Sequence, residues 1–304
     1  MRLIKDSNKK NALLLFILSV GLLIAIKMAL QYKIKNVTDL EEKIQKERLE
    51  RIDRVCKYLP KNGSLFERQK RIMSHLMVDH KHGLTYCWNH KAASTSWSEF
   101  FSRLTNNIYI LRSKEYYKLN SYMAPRTELE LTESLRETTK FMVIRHPLSR
   151  IVSAYRDRIK NNPDSFQGRK FIPLIHNQVK NQVTIDRIPS FNDFVQYIVN
   201  GNSISIDSHW TPYSLQCDPC SIKYDAIIKT ETMMKDFTYI QTKKNLTKEI
   251  SLFERHRINR SEKEEFTATK KYLSQLENQL FYKLLAHYQQ DFLLFDYDPF
   301  LFIG

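Results

Sequence analysis

Glycine is scarce in this chain, with 6 among 304 residues. No G-x-G-x-x-G is present, which excludes the glycine-rich dinucleotide fingerprint. No G-K-[ST] is present either, so the lysine and hydroxyl with which a nucleotide kinase or P-loop NTPase holds phosphate and Mg²⁺ are missing. Any phosphate site here must be built on a loop with few glycines. Cysteine is sparse too, at 4: Cys56, Cys87, Cys217 and Cys220. Cys217-x-x-Cys220 has the spacing of half a zinc site, but no second close Cys/His pair accompanies it. Internal repeats and low-complexity tracts are absent. Acidic residues are in deficit, 33 against 48 Lys plus Arg, for a formal charge of +15. That surplus favours an anionic partner: nucleic acid, anionic lipid, nucleotide or acidic polysaccharide. Charge alone does not choose among them. The hydrophobic fraction of 42% and aromatic fraction of 12% suit one large packed domain with appendages.

The N-terminus sets the compartment. Ala12 to Leu30 is apolar apart from Lys27, close to the ~20 residues a helix needs to cross a bilayer. Arg2, Lys5, Lys9 and Lys10 precede it against a single Asp6. By the positive-inside rule, residues 1–11 form a cytoplasmic tail, 12–30 a transmembrane signal anchor, and the rest is translocated as a single-pass type II protein. The run is long for a cleaved signal peptide, and no clear small-x-small site follows it. Sequons at Asn36, Asn62, Asn245 and Asn259 agree with a luminal body. In an oxidising lumen the cysteines can form two disulfides, for which three connectivities exist. Anchor and sequons argue against a nucleic-acid partner.

Residues 31–80 read as a luminal stem. Within it, 38–55 is rich in Glu, Lys and Arg, with Leu40, Ile44, Leu49 and Ile52 at helical spacing. Such a helix either serves as a solvated spacer, the ordinary reading, or pairs two stems in a homodimer as a short coiled coil. The catalytic body spans 81–304. Two apolar strands, Leu84 to Asn89 and Lys140 to Ile144, are each followed by a helix, Thr95 to Leu104 and Leu148 to Ile159. A polar helical stretch, Glu128 to Thr139, separates the two units, and a strongly helical segment runs from Glu262 to Asp291. Repeated strand–loop–helix units predict an α/β fold: a P-loop-like parallel sheet flanked by helices.

The first unit carries Lys91, Ala92, Ala93, Ser94, Thr95 and Ser96 between strand and helix. Free N–H groups and the positive end of the dipole make a helix N-terminus attract phosphate. Ala92 and Ala93 let the backbone approach an anion, the hydroxyls of Ser94, Thr95 and Ser96 can donate, and Lys91 adds a cation. An N-capped helix beside a lysine would read the same way. The second unit delivers Arg145 at a strand's carboxyl end, where ligands of open parallel sheets bind. His146 and Pro147 turn the chain into a helix bearing Arg150, Ser153 and Arg156. Arg145 and Ser153 can clamp a second phosphate.

Two phosphate sites on one sheet suit a nucleotide phosphorylated at both ends of its ribose. The pair resembles the 5′-phosphosulfate and 3′-phosphate signatures of the Golgi carbohydrate sulfotransferases, in the branch of the HNK-1, chondroitin and dermatan 4-O-sulfotransferases. Lys91, Ala93, Thr95 and Trp97 fit its K-x-A-x-T-x-W loop. Arg145, Pro147, Arg150, Ser153, Ala154 and Tyr155 fit its R-x-P-x-x-R-x-x-S-A-[FY] run. His209-Trp210-x-Pro212, Cys217-x-Pro219-Cys220, Tyr224-Asp225 and Lys229-x-Glu231-Thr232 resemble a third block, and Asp291-Phe292 with Phe295-x-Tyr297 the closing motif. The resemblance spans roughly Tyr86 to Pro299. One departure is Ser94, where relatives often carry cysteine.

The resemblance implies a sulfotransferase-type fold in the Golgi membrane, with 3′-phosphoadenosine 5′-phosphosulfate as donor and an anionic glycan as acceptor. Lys91 is expected at the leaving-group oxygen. The loop amides with Thr95 and Ser96 belong to the 5′-phosphate, and Arg145 with Ser153 to the 3′-phosphate. No metal is required, because lysine and amides supply the positive charge. A general base must take the acceptor proton. His209 is the first candidate, with His90 and Glu99 as alternatives, and a packing histidine beside Trp210 is the plain reading of His209. The non-enzymatic rival is a glycosaminoglycan-binding membrane glycoprotein that uses the charge without catalysis.

Overall fold

The computed structural model describes residues 27–28, 38–60, 63–180, 188–201, 207–244, 246 and 262–303. Apart from Lys27 and Met28, the expected membrane span lies outside them, as do Asn36, Asn62, Asn245 and Asn259 of the sequons. Among the described residues no helix is long and apolar enough to cross a membrane. The chain divides into two units, Met1–Ile44 and Gln45–Gly304. In the first, the described residues 27–28 and 38–44 are helical.

The second unit is built on four strands: β1 (Leu76–Asp79), β2 (Leu84–Cys87), β3 (Thr139–Ile144) and β4 (Ala226–Lys229), side by side in that order. β2, β3 and β4 run parallel, with Leu84 opposite Thr139 and Ile144 opposite Lys229. Buried parallel strands read as continuous apolar runs, and Phe141, Met142, Val143, Ile144, Ala226, Ile227 and Ile228 are all fully buried. The wholly parallel sheet expected from the sequence acquires one antiparallel edge, β1 on β2. Its turn ends at Gly83, in the left-handed region at φ 61°, and Asp79 accepts from the His82 amide across it.

The helices are α1 (45–56), α2 (Leu65–Arg71), α3 (Ser94–Leu104), α4 (Ile108–Ser113), α5 (Tyr116–Met123), α6 (Glu128–Glu137), α7 (Pro147–Ala154), α8 (Phe166–Lys180), α9 (Phe191–Asn200), α10 (Tyr213–Gln216), α11 (Met233–Lys243), α12 (Glu262–Leu273), α13 (Asn278–His287) and α14 (Gln289–Phe295). α7 continues as a π-helical segment, Tyr155–Lys160, an irregularity that often sits at functional sites. The helical segment expected over 262–291 is three helices: Glu277 takes an extended conformation and starts α13 afresh, and Tyr288, at φ −102° and ψ 13°, separates α13 from α14.

Residues 45–80, assigned to a stem by their polar composition, belong to the same unit as the sheet. α1 turns Gln45 and Arg48 toward β4, the sheet edge. Gln45 Oε1 accepts from Ile227 N at 2.8 Å, and Arg48 Nη1 donates to Ile227 O at 2.6 Å. Polar side chains thus satisfy edge groups that would otherwise recruit another strand. Arg48 also pairs with buried Asp236 at 2.8 Å. The cysteines form two disulfides, Cys56–Cys220 and Cys87–Cys217. The two members of the C-x-x-C thus take different partners, which removes the zinc half-site.

Two apolar clusters sit on the fold. One stacks Tyr86, Phe101 and Phe141 over the sheet, with Trp97 of α3 and Phe237 of α11 closing it. The other gathers Leu148 and Ile151 of α7, Phe171 of α8, Phe194 of α9 and Trp210. The loop between β2 and α3 and the turn between β3 and α7 lie at the carboxyl ends of neighbouring parallel strands, where open sheets bind ligands.

Candidate active site

After β2 the chain reaches Asn89, which is fully buried and donates from Nδ2 to Val143 O at 3.1 Å, tying the loop to β3. Lys91 and Ala93 then take left-handed φ values of 63° and 56°. For non-glycine residues such conformations cost about 1–3 kcal/mol each. They give a glycine-poor loop the curl that phosphate loops obtain from glycine. Ala92 between them is fully buried, and Ala93 leads into α3 with no side-chain cap on the helix. The first-turn amides of α3, at Ser94 and Thr95, therefore have no intrahelical acceptor and face the loop end of the helix dipole.

Lys91 Nζ pairs with Asp157 Oδ2 at 2.7 Å, and Arg158 Nε lies 3.2 Å from the same oxygen. Both partners come from the π segment. Burial lowers the Lys91 ammonium below its ordinary value, with Asp157 opposing. Burial works against the Asp157 carboxylate as well, yet Lys91 and Arg158 hold its carboxyl below the usual range.

Arg145, at the end of β3, reaches back to the first loop, donating from Nη1 to Lys91 O at 3.2 Å. Its Nε donates to Glu265 Oε1 of α12 at 2.8 Å. Two further contacts hold the turn that follows. Tyr213 Oη accepts from Arg145 N at 3.0 Å, and Glu231 accepts from His146 N at 2.8 Å while receiving the Tyr297 hydroxyl at 3.0 Å. Glu231 and Tyr297 thus act as supports for this turn. Ser153 is half-buried, one turn beyond Ser149, whose hydroxyl contacts Thr269 of α12 at 3.3 Å. Residues four apart share a helix face, so Ser153 lies on the side of α7 toward α12, the helix that carries Glu265.

Arg150, which the sequence places on the helix that follows Pro147, is 1% exposed. Its guanidinium donates to His90 O at 3.1 Å, Thr211 O at 2.6 Å and Ser208 O at 2.9 Å, and lies 4.2 Å over the Tyr213 ring. It binds the loop that precedes α3 to the segment around His209. The rings of His90 and His209 stack at 3.8 Å, which brings two of the histidines singled out in the sequence together beside Lys91. His209 Nδ1 lies 2.6 Å from Asp207 Oδ1. Burial, reinforced by His209 and by Arg158, Arg150 and Lys91, drives His90 down to about 2. Burial also lowers His209, with Asp207 opposing. Glu99 is engaged elsewhere, paired with Arg103 of its own helix at 2.5 Å.

Asp157, Arg158, Asp207 and Glu265 carry no signal that the sequence motifs pick out. Only Asp207, two residues before His209, was within reach of a search for carboxylates that orient histidine.

Residues 74–298 match the family described as the sulfotransferase family. Similar curated proteins include carbohydrate sulfotransferase 14 of Danio rerio, 25% identical over 237 residues, covering 76% of this chain and 64% of that protein. Carbohydrate sulfotransferase 11 of Rattus norvegicus is 31% identical over 206 residues, covering 59% of this chain and 56% of its own. Carbohydrate sulfotransferase 10 of Rattus norvegicus is 28% identical over 215 residues, covering 64% and 59%. The matched segments span 64% or less of these relatives. No solved structure matches.

Proposed function

Because the chain belongs to the sulfotransferase family, we propose that it transfers a sulfuryl group from 3′-phosphoadenosine 5′-phosphosulfate to a sugar hydroxyl of a glycosaminoglycan or glycoprotein glycan. The observation that carries this reading is the hydrogen bond from Arg145 to the carbonyl of Lys91, at 3.2 Å. It brings the two candidate anion loops next to each other, as a donor phosphorylated at both ends would require. The left-handed loop at Lys91 and Ala93 and the uncapped start of α3 fit the 5′-phosphate end.

In this reading the loop amides, with Ser94, Thr95 and Ser96, hold the 5′-phosphate, and Arg145 with Ser153 holds the 3′-phosphate. The acceptor hydroxyl oxygen forms a bond to sulfur as the bond from sulfur to the phosphate oxygen breaks. The hydroxyl proton passes to His209, and the negative charge on the departing phosphate oxygen is met by Lys91. Adenosine 3′,5′-bisphosphate and a sulfated sugar result. Asp157 and Glu265, with side chains 38% and 37% exposed, balance Lys91 and Arg145 before the donor arrives and can turn toward solvent.

The acceptor proposed is a chondroitin- or dermatan-type chain sulfated at the 4-position, in line with the +15 charge and the resemblance of the motifs. The Golgi membrane, with a type II anchor at 12–30 and a luminal body, is the proposed location, and the two disulfides are in keeping with an oxidising lumen. A homodimer paired through the outward face of the stem helix is part of the proposal, since from Gln45 on the inward face of that helix is used on β4. The test is incubation with labelled donor and desulfated chondroitin and dermatan. Donor-dependent labelling of the glycan supports the proposal. Glycan binding with no affinity for adenosine 3′,5′-bisphosphate would favour the non-catalytic glycosaminoglycan-binding alternative.

A further inference from the structure

We propose that Asp207 is a positioning residue for the sulfuryl-transfer step, fixing the tautomer and orientation of His209 so that Nε2 carries the lone pair that takes the acceptor proton. This rests on the reading of His209 as general base and extends it to a carboxylate that no sequence motif marks.

One ring nitrogen of His209 is engaged and the other is not. Asp207 Oδ1 lies 2.6 Å from His209 Nδ1 and also accepts the His209 backbone amide at 2.9 Å. Its side chain is 11% exposed and that of His209 is 3% exposed, so water competes little for the contact. Asp207 is itself held in place, because its carbonyl accepts from Trp210 N, Thr211 N and the Thr211 hydroxyl at 3.0, 2.9 and 2.8 Å. A ring nitrogen against a carboxylate carries the hydrogen, so in the neutral imidazole Nε2 is the acceptor. That Nε2 is buried and has no hydrogen-bond partner among the described residues. Buried polar atoms are nearly always satisfied. An oriented, unmet acceptor beside Lys91 is what a substrate hydroxyl would complete.

The surroundings keep the ring neutral and in place. His90 lies parallel to it, 12° between planes, and Arg150 anchors both loops by donating to the carbonyls of His90 and Ser208. The charged or titratable groups facing this pair are His90 and Lys91 from the donor loop, Arg150 from α7, Asp157 and Arg158 from the π segment, and Lys170 of α8 on the Asp207 side. The cations discourage protonation of the imidazole, and Asp207 offsets part of that effect.

The experiment compares the full-length chain with its Asp207→Asn and His209→Ala variants. It measures adenosine 3′,5′-bisphosphate binding by calorimetry, and kcat and donor KM across pH with desulfated chondroitin. It also records the ¹⁵N signals of the histidine rings, which need no acceptor. Expected for Asp207→Asn are unchanged nucleotide binding and donor KM, and a fall in kcat of about 10²-fold or more. Because Asp207 raises the His209 pKa, its loss moves the low-pH limb of kcat further down. The ring signals should lose the single Nδ1–H tautomer seen in the unaltered chain. An unchanged kcat, a fall with pH limb and tautomer unmoved, or lost nucleotide binding would each overturn the proposal. If His209→Ala keeps full turnover, the general-base reading fails and takes this one with it. If His209→Ala is inactive while Asp207→Asn matches the unaltered chain, only the role of Asp207 is withdrawn.

Discussion

Arg150 Nε donates to the carbonyl oxygen of His90 at 3.1 Å, while the same guanidinium donates to Thr211 and Ser208. One buried side chain therefore ties the loop before α3 to the segment that presents His209. Replacing Arg150 by Ala should leave several buried carbonyls unmet and lower stability by at least about 3 kcal/mol. Arg150→Lys should rescue little, since an ammonium does not reproduce the planar fork. Thermal unfolding followed by circular dichroism checks both.

In the proposed reading, Lys91→Ala and Arg145→Ala act on the chemistry. Each removes one cation from the donor loops, and each is expected to lower sulfation by about 10²–10³-fold with the fold retained. Turnover with labelled donor, together with a melting curve for each variant, is the check. Full turnover in either variant would show that the donor site is misassigned.

Glu265 pairs with Arg145 through Nε and Nη2, at 2.8 and 2.5 Å, and has to give way to a 3′-phosphate. Partly exposed pairs of this kind are worth about 0.2–1 kcal/mol. Glu265→Gln should therefore bind adenosine 3′,5′-bisphosphate about 2–5-fold more tightly. The gain should shrink at high salt as screening weakens the native pair. Calorimetry at two ionic strengths reads it directly.

Turnover should depend on pH in a defined direction. As the proposed general base, His209 must be neutral to accept a proton, and burial lowers it from its ordinary value of 6.5. The rate is then flat from neutral pH down to the ordinary imidazole value and falls only below it. Stability has the same sign. A histidine disfavoured as a cation in the folded chain binds its proton more readily when unfolded, so stability declines as pH drops below 6.5, for His90, His146 and His209 alike. A kcat–pH profile and an acid melting series test the two statements.

The Cys56–Cys220 bridge closes a separation of 164 residues and fastens α1 to the segment after α10. Replacing both cysteines by serine should cost about 2–5 kcal/mol. Nucleotide binding should survive, because the donor loops are held separately by Asn89 and Arg150.

Much of the site was legible in the chain because parallel strands advertise themselves. Leu84 to Cys87 and Phe141 to Ile144 are short apolar runs, each followed at once by a helix start, which places Lys91 and Arg145 at strand ends. β1 was not legible: Leu76, Met77 and Val78 form too short a run to separate from a helix turn. The docking of α1 was hidden for a different reason. Its inward face uses Gln45 and Arg48, polar residues that a hydrophobic pattern assigns to solvent, whereas Leu40, read as part of an apolar stripe, is 57% exposed. Contacts such as Lys91 with Asp157 and Arg145 with Glu265 join residues 66 and 120 positions apart. Their sidedness follows from tertiary packing and not from local spacing.

A crystal structure of the chain with adenosine 3′,5′-bisphosphate bound tests the central claim most directly. The account predicts a single nucleotide with its 5′-phosphate on the amides of Ser94 and Thr95 beside Lys91. Its 3′-phosphate would sit on Arg145 and Ser153, with Glu265 turned away. A nucleotide seated elsewhere, or one touching only one of Lys91 and Arg145, would contradict it.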